Sequence, residues 1–276
     1  RAWSRISGPD AVTFGDASAC TTTVSMATQG VYVLRLTASD LWTQAWQEVT
    51  VTIDPNATGA PPAMAGMLLW LKLDEASGAT AADSSGNAHT GAVQGATWTG
   101  AGKLGGALQF ATTTDKVLLS PVVAMGATWT ICSWFTAPLP DTGNWHTLTR
   151  ASSSDHHVIT DSSLQLGTYV GGFSGSGYNM GGLSAGWHHV AAVGNGSSTA
   201  FYVDGSYVGT ALQKTANDVF CVGNYQSDSQ RFADRIDDVR IYGRALSAGE
   251  IQQIVSCASG NLVPWTNIAA GISAEN

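Results

Sequence analysis

Phe201-Tyr-Val-Asp-Gly-Ser-Tyr-Val-Gly209 is typical of two short β-strands joined by a tight turn. Asp204-Gly205 is a dipeptide that supplies the two residues of positive φ in a type I′ hairpin. The valine and aromatic residues on either side suit the pleated surface of a sheet. The stretch therefore predicts an antiparallel hairpin.

The rest of the chain repeats this strand-and-turn pattern. Val31–Ala38 and Glu48–Ile53 alternate apolar and polar residues, which predicts strands with one buried face. Ile236, Val239 and Ile241 mark a closing strand near the end of the chain. One short helix is expected at Ser247–Val255, where Ser247 and Glu250 have the spacing of a capping box. We therefore predict an all-β protein with one short C-terminal helix.

Composition limits the classes of protein to consider. The chain has 276 residues, which suits two modules, and its 32 glycines and 12% charged residues are typical of a β-rich extracellular protein. Twelve Lys and Arg against 20 Asp and Glu give a net charge of −8, which disfavours nucleic acid as a partner and favours calcium. No apolar run approaches the ~18–20 residues of a membrane span.

A proline-rich stretch divides the modules. Pro55-Asn-Ala-Thr-Gly-Ala-Pro-Pro62 has no apolar period, so we place a linker at 55–66 between modules at 1–54 and 67–256. The four cysteines are widely spaced and form no C-x-x-C motif, which argues against zinc or thioredoxin-like chemistry and leaves any disulfide pairing open. They are Cys20, Cys132, Cys221 and Cys257.

Four segments of the second module resemble the laminin-G-like branch of the concanavalin A-like jelly rolls. They are Leu69-Trp-Leu-Lys-Leu-Asp-Glu75, Asp83-Ser-Ser-Gly-Asn87, Gly186-Trp-His-His-Val-Ala-Ala192 with Phe201-Tyr-Val-Asp-Gly205, and Ile236-Asp-Asp-Val-Arg-Ile-Tyr-Gly-Arg-Ala-Leu-Ser247. The resemblance implies a jelly-roll sandwich over 67–256.

The first module resembles the C-terminal part of a polycystic-kidney-disease (PKD) type immunoglobulin-like domain. Trp3–Pro9, Gly30–Asp40 and Glu48–Ile53 carry the likeness, which covers about the last two-thirds of such a domain. A sandwich of this kind needs more strands than 1–54 supplies. Residues 257–276 resemble the start of a PKD-type domain, so we expect a linker or a strand-donating tail there.

Aspartates predict a metal site in the jelly roll. Asp83 lies in a Ser/Gly/Asn loop, and Asp237 and Asp238 begin the closing strand, which a jelly roll brings near its first strand. Laminin-G-like relatives often hold calcium with the matching aspartates, and the resemblance therefore implies Ca²⁺. The further oxygen ligands would come from the loop at Asn87, Ala88 and Thr90. The alternative is that these aspartates cap turns.

Aromatic loops predict a sugar-binding site. Sugars need exposed rings for their apolar faces and polar groups for their hydroxyls. The candidates are Trp145, Tyr178 and Tyr225, with Asn144, Asn179 and Arg231 as hydrogen-bonding partners. The alternative is that the three rings fold back over the sheet.

Catalysis is not expected. The glutamates Glu48, Glu75, Glu250 and Glu275 form no close pair, and no Gly-x-Ser-x-Gly elbow is present. Asp237 and Asp238 are expected on opposite faces of their strand, which makes a poor acid and base couple.

Two functional hypotheses follow. The first is a non-catalytic, calcium-stabilised module pair, secreted or at the cell surface, that binds a glycan or an extracellular protein. The second is a structural subunit of a surface layer or filament, in which the incomplete first module borrows a strand from another copy. Trp46 lies on the polar face of its strand, a face that such a partner would cover.

Overall fold

The computed structural model describes residues 1–18, 24–26, 28, 30–39, 43–53, 65–140, 143–225 and 227–258. These residues fall into two compact units, one within 1–53 and one within 65–258. Strands dominate both units, and the all-β prediction is confirmed. Within the described ranges no helix is long and apolar enough to cross a membrane. Most of the expected linker, and the tail from residue 259 onward, lie outside these residues, so strand donation stays a prediction.

The first unit contains a three-stranded antiparallel sheet and a separate hairpin. The sheet has the order β1 (Ala2–Ser7), β4 (Gly30–Ser39), β5 (Gln44–Ile53), and the hairpin pairs β2 (Val12–Phe14) with β3 (Val24–Met26). Tyr32 and Leu34 are buried on one face, whereas Trp46 is 56% exposed on the other and lies 4.3 Å from the Arg35 guanidinium. The PKD-type identity of this unit stays a prediction.

The second unit consists of two large antiparallel sheets. Sheet I has the strand order β19 (Ser206–Ala211), β18 (Ser198–Val203), β17 (Gly186–Asn195), β12 (Trp129–Ala137), β21 (Arg235–Tyr242), β10 (Gly106–Gln109), β9 (Thr97–Leu104), and β6 (Met67–Leu71) also pairs with β21. Sheet II has the order β16 (Phe173–Asn179), β15 (Gln165–Tyr169), β14 (His156–Thr160), β13 (His146–Arg150), β20 (Val219–Val222), β11 (Lys116–Val123), β8 (Thr90–Gln94), β7 (Thr80–Ala81).

The main core lies between the two sheets. Sheet I contributes large side chains such as Trp129, Phe135 and Phe201, and sheet II contributes Leu148 and Val158. A second apolar cluster covers the outer face of sheet I, where Cys132 and Tyr242 pack with Leu246, Ile251 and Ile254. Sheet I is therefore covered on both faces where the helix lies.

The hairpin and the helix have the predicted local structure. Asp204 and Gly205 have φ of 49° and 80° and connect the paired residues Val203 and Ser206. Helix α1 (Ala248–Ala258) begins after Ser247, whose backbone N–H donates to Glu250 Oε2 at 2.8 Å, while Glu250 N–H donates to Ser247 Oγ at 3.3 Å. The helix runs three residues beyond the expected end at Val255.

A β-bulge in β21 sets which of its residues enter the core. Cys132 pairs with Arg240 and Trp134 pairs with Asp237, so the interval contains one more residue on β21 than on β12. Asp238, inside the bulge, has a φ of 52°. Because of this extra residue, Ile236 and Val239 both reach the main core although they are three positions apart.

Gly194 illustrates the close packing of this core. It pairs with Trp129, and a Cβ built on Gly194 would lie 2.3 Å from the Trp129 indole. We expect Gly194→Ala to lower the free energy of unfolding by about 1–3 kcal/mol through overpacking. Urea denaturation measures this change. Gly126→Ala is the control, since its Cβ would meet no atom closer than 3.7 Å, and equal effects of both variants would contradict the prediction.

Candidate functional site

Two of the predicted aromatic residues lie on the outer face of sheet II. On β13, Leu148 enters the core, whereas Thr147 lies on the opposite, outer face and pairs with Ile159. Thr147 Oγ1 is 3.0 Å from His156 Nδ1, which places His156 on that outer face too. Tyr225 stacks on His156, with ring centroids 5.9 Å apart and planes at 26°.

The rings on this surface form a continuous series, which we call the aromatic face. Trp145 meets Phe173 edge to face at 5.4 Å and Tyr169 at 6.1 Å, and Tyr169 meets His156 at 5.8 Å. Trp145, Tyr169, Phe173 and Tyr225 each keep part of their surface exposed. The aromatic face therefore consists of Trp145, His156, Tyr169, Phe173 and Tyr225.

Different elements hold these rings in place. Tyr169 ends β15 and Phe173 begins β16, where the two residues pair across the sheet. Tyr225 lies on the loop after β20, which buried Asn224 fixes in place. The Asn224 amide donates to the carbonyls of Thr113 and Asp115, and its Oδ1 accepts from the N–H groups of Tyr225 and Gln230. The loop geometry is therefore set by one fully bonded side chain.

His156 is a neutral hydrogen-bonding group of this surface. Thr147 Oγ1 donates to Gln230 Oε1 at 2.7 Å, so it can only accept from His156 Nδ1–H. His156 Nε2 then carries the lone pair and is free to accept. Burial, with Arg150 and His157 nearby, lowers the pKa of His156 to about 3. His156 is therefore uncharged at neutral pH.

Arg150 is the charged group beside the aromatic face. Its guanidinium lies 4.5 Å from the Tyr225 ring centroid, and the residue is only 3% exposed. Its NH1 donates to the Ala151 carbonyl at 3.2 Å, and its Nε–H has no partner. Among the described residues, one N–H of this guanidinium thus has no partner next to partly exposed rings.

The other predicted sugar-binding residues have different surroundings. Tyr178 packs against the main core, and burial raises the pKa of its hydroxyl. Asn179 caps the short 3₁₀ turn Met180–Gly182. Arg231 donates to the Phe110 carbonyl and pairs with Asp234. Asn144 is exposed next to Trp145. The structure therefore brings Trp145 and Tyr225 into one surface and places Tyr178, Asn179 and Arg231 in structural contacts.

Asp83 organises its own loop. Its Oδ1 accepts from the N–H groups of Trp70 and Ser85, and its Oδ2 accepts from Ser85 Oγ and His89 N–H. These four bonds use all the acceptor positions of a carboxylate, and they hold its pKa below the ordinary value despite burial. Asn87, in the same loop, donates through its amide to the carbonyls of Met67 and Leu68. Ala88 has a φ of 61°, and Thr90 Oγ1 donates to the Ser120 carbonyl.

The bulge places Asp237 and Asp238 on the same, outer face of sheet I, so the expected opposite faces are wrong. Asp238 accepts from Trp70 Nε1 and forms an ion pair with Arg240. Asp237 Oδ2 accepts from the N–H groups of Lys103 and Leu104, and burial raises the pKa of Asp237 to about 7. Both aspartates are buried, at 0% and 3% exposure.

These contacts do not fit a calcium ion shared between the loop and β21. Asp83 contacts Trp70 from one edge of β6, whereas Asp238 belongs to β21 on the other edge, so β6 separates them. Their acceptor oxygens are largely taken by protein donors. No group of three or more His, Cys, Asp or Glu suited to a metal occurs in the described part of the chain.

Asp83→Ala tests this assignment. Loss of the loop's hydrogen bonds should lower the free energy of unfolding by about 1–3 kcal/mol. Thermal melts of the wild type should be the same with calcium and with a chelator. The exposed Asp234→Ala is the control and should change stability little. A calcium-dependent rise in Tm that the Asp83 variant loses would contradict the assignment.

His188 lies between Ser184 and Asp204 in contacts that resemble a catalytic triad. His188 Nδ1 is 2.7 Å from Asp204 Oδ2, and Nε2 is 3.3 Å from Ser184 Oγ. However, Nε2 is closer, at 2.9 Å, to the backbone carbonyl of Ser184 itself. A nitrogen that donates to this carbonyl has no lone pair with which to activate the hydroxyl. His188 therefore links the loop to the Asp204 turn.

Three buried histidines make stability depend on pH. Burial lowers the pKa of His156 and His189 to about 3 and that of His157 to about 4. The unfolded chain binds these protons near pH 6.5, so stability should fall as pH decreases from about 6.5 towards 4. Each histidine contributes up to about 1.4 kcal/mol per pH unit. Asp237 has the opposite effect on stability. Because its pKa is raised in the folded state, its contribution to the free energy of unfolding increases as the pH falls from about 7 to about 4.

Urea denaturation between pH 7.5 and 4.5 measures this dependence. His157→Gln should flatten the profile, and Asp237→Asn should steepen it, because it removes the opposing group. Profiles that are parallel in all three proteins would refute the prediction.

Comparison with known proteins places the second unit in a known fold. A family model described as the Concanavalin A-like lectin/glucanases superfamily matches residues 110–252, which confirms the laminin-G-like resemblance there. The structure is also similar to domain 4 of AbnA, a GH43 extracellular arabinanase from Geobacillus stearothermophilus, in complex with arabinotriose. The TM-score is 0.54 at 15% identity, over 68% of this chain and 98% of that one.

Two further structures share the fold over part of their length. Trypanosoma rangeli sialidase has a TM-score of 0.52 at 18% identity, over 70% of this chain and 33% of the sialidase. The binding domain of Paraclostridial Mosquitocidal Protein 1 has a TM-score of 0.51 at 14% identity, over 71% and 53%. This chain therefore spans about a third of the sialidase and about half of the mosquitocidal chain. At sequence identities of 14–18%, the similarity to these structures shows a shared fold and nothing further.

Proposed function

Because this chain belongs to the Concanavalin A-like lectin/glucanases superfamily, we propose that it is a non-catalytic glycan-recognition protein whose binding site is the aromatic face of sheet II. We further propose that it acts outside the cell, secreted or at the cell surface. A protein ligand and contacts between copies of the chain stay predictions.

The observation that carries the proposal is the continuous series of rings on one sheet face. A pyranose or furanose presents apolar C–H surface that packs on aromatic rings, and its hydroxyls need donors and acceptors at the edge. Trp145, Tyr169 and Tyr225 offer partly exposed rings, and His156 Nε2 offers an acceptor. An ordinary solvent-facing strand would carry polar residues in these positions instead.

The structural relatives are consistent with this proposal. The arabinanase domain, which this chain spans almost completely, was solved with a bound arabinotriose. The sialidase acts on glycans, by its name, and the mosquitocidal protein segment is a binding domain. These relatives therefore support the proposal that the present chain binds a glycan.

The chemistry of the aromatic face favours binding over catalysis. Glycoside hydrolysis requires two carboxyl groups beside the scissile bond. Within the described residues, no carboxylate forms an ion pair with Arg150 or a hydrogen bond with His156. Asp237 and Asp238 are buried in the other sheet. The site offers rings, neutral groups and one cation.

A glycan array followed by titration with the best ligand tests the proposal. Trp145→Ala and Tyr225→Ala should each weaken binding about 5- to 150-fold, since each removes about 1–3 kcal/mol of stacking contact. Trp46→Ala and Tyr207→Ala are matched controls, because both rings are exposed and lie outside sheet II. Their affinity should equal that of the wild type.

Two results would contradict the proposed function. One is the absence of binding to every glycan at millimolar concentration. The other is binding that survives both Trp145→Ala and Tyr225→Ala, provided that circular dichroism shows both variants folded.

A further inference from the structure

Arg150 is a buried cation that lacks an anionic partner. None of the ion pairs seen among the described residues includes Arg150. Its only hydrogen bond goes to the neighbouring carbonyl of Ala151, and its Nε–H is unused. Burial lowers the pKa of its guanidinium, which reflects the cost of removing the charge from water.

Asp155, the carboxylate that acts on Arg150 electrostatically, does not compensate this charge. Asp155 favours the charged form of Arg150 only at a distance. Its Oδ2 instead accepts from Thr215 Oγ1 at 2.9 Å and from Asn217 Nδ2 at 2.6 Å. A buried arginine is ordinarily paired with a carboxylate or phosphate. The fold therefore leaves one positive charge at the aromatic face for an external anion.

We propose that the glycan bound at the aromatic face is acidic, and that the carboxylate of a uronic or similar sugar acid pairs with the Arg150 guanidinium. This inference rests on the proposed function, because it names the chemical class of the sugar. A guanidinium donates two parallel hydrogen bonds to a carboxylate, so the pair fixes the orientation of the sugar as well as its charge.

The surroundings of Arg150 suit a sugar acid in two ways. The Arg150 guanidinium lies 4.5 Å from the centroid of the partly exposed Tyr225 ring, so a sugar stacked on this ring has its carboxylate close to the cation once the Tyr225 side chain moves aside. His156 is neutral and its Nε2 accepts hydrogen bonds, which serves a sugar hydroxyl adjacent to the carboxylate.

The negative net charge of the chain does not oppose this pairing. The charge of −8 is spread over 276 residues. At physiological ionic strength the Debye length is about 8 Å, so distant acids are screened while a direct ion pair is retained. Preference for an acidic sugar therefore depends on this one contact.

The test compares each sugar acid with its own methyl ester. Oligogalacturonate, oligoglucuronate and a sialylated oligosaccharide are titrated as free acids and as methyl esters, which keep the ring and remove the charge. We expect at least one free acid to bind about 10- to 100-fold more tightly than its ester. Equal affinity for acid and ester in every pair overturns the inference.

Arg150 variants identify the residue that makes the distinction. Arg150→Met should abolish the preference for acid over ester, measured as the ratio of the two dissociation constants. Arg150→Lys keeps the positive charge but lacks the planar guanidinium that donates two parallel hydrogen bonds. It should therefore lower the preference for acid over ester about 5- to 10-fold. Arg35→Met, in the first unit, is the matched control and should keep the full preference. If Arg150→Met is unfolded by circular dichroism, Arg150→Lys decides alone, and an unchanged preference overturns the inference.

The outcomes separate this inference from the proposed function. Neutral glycans that bind through Trp145 and Tyr225, with no preference for acids, leave the function standing and refute the acidic class. Absence of binding to any glycan refutes both. An oligosaccharide that carries sulfate groups but no carboxylate serves as a further comparison. If it binds as tightly as the best carboxylate, the site is a general anion site and the carboxylate assignment is refuted.

Discussion

The second unit depends on the pairing of its last strand with strands from early in the chain. β21 lies between β12 on one side and β10 and β6 on the other, so it joins segments separated by more than 100 residues. Ile236, Val239 and Ile241 then close the main core. Contacts of such long sequence separation form late because loop closure costs entropy before the contacts repay it. The sandwich is therefore complete only when β21 is in place.

The same strand explains why the aspartates are structural. The bulge turns both Asp237 and Asp238 to the outer face, where Asp238 meets Arg240 and Trp70 and Asp237 receives two backbone N–H groups. A regular strand would have sent one of them into the apolar core. Their charges and hydrogen bonds hold β6, β9 and β21 together at the edge of sheet I. On the other edge of β6, Asp83 accepts a hydrogen bond from the Trp70 N–H and so links its loop to that strand.

Local signals in the sequence were sufficient for the fold but not for the site. The Asp204-Gly205 turn, the Ser247 and Glu250 cap and the strand alternation each depend on neighbours within a few residues, so they could be predicted. Arg150, His156, Tyr169 and Phe173 could not, because they come together only through the pairing of β13 to β16. Tyr178 lies in a glycine-rich segment and Tyr225 in a polar loop. Yet Tyr178 packs on the main core, whereas Tyr225 packs on the outer face of sheet II. A shift of register by one residue moves a side chain to the other face, and the register shifts of β13, β14 and β15 are not visible in the local pattern.

The two sheets differ in how their outer faces are used, and this difference limits where a ligand can bind. On sheet I, α1 and its apolar cluster cover one part of the outer face, and the paired charges around Asp238 and Arg240 fill another. On sheet II, the outer face carries partly exposed rings beside the buried Arg150 guanidinium, whose Nε–H has no partner among the described residues. Unused donors cost stability unless something binds them, since a buried N–H or O–H without an acceptor is destabilising. The unpaired Arg150 N–H beside four partly exposed rings supports the proposal that a ligand supplies the missing acceptor.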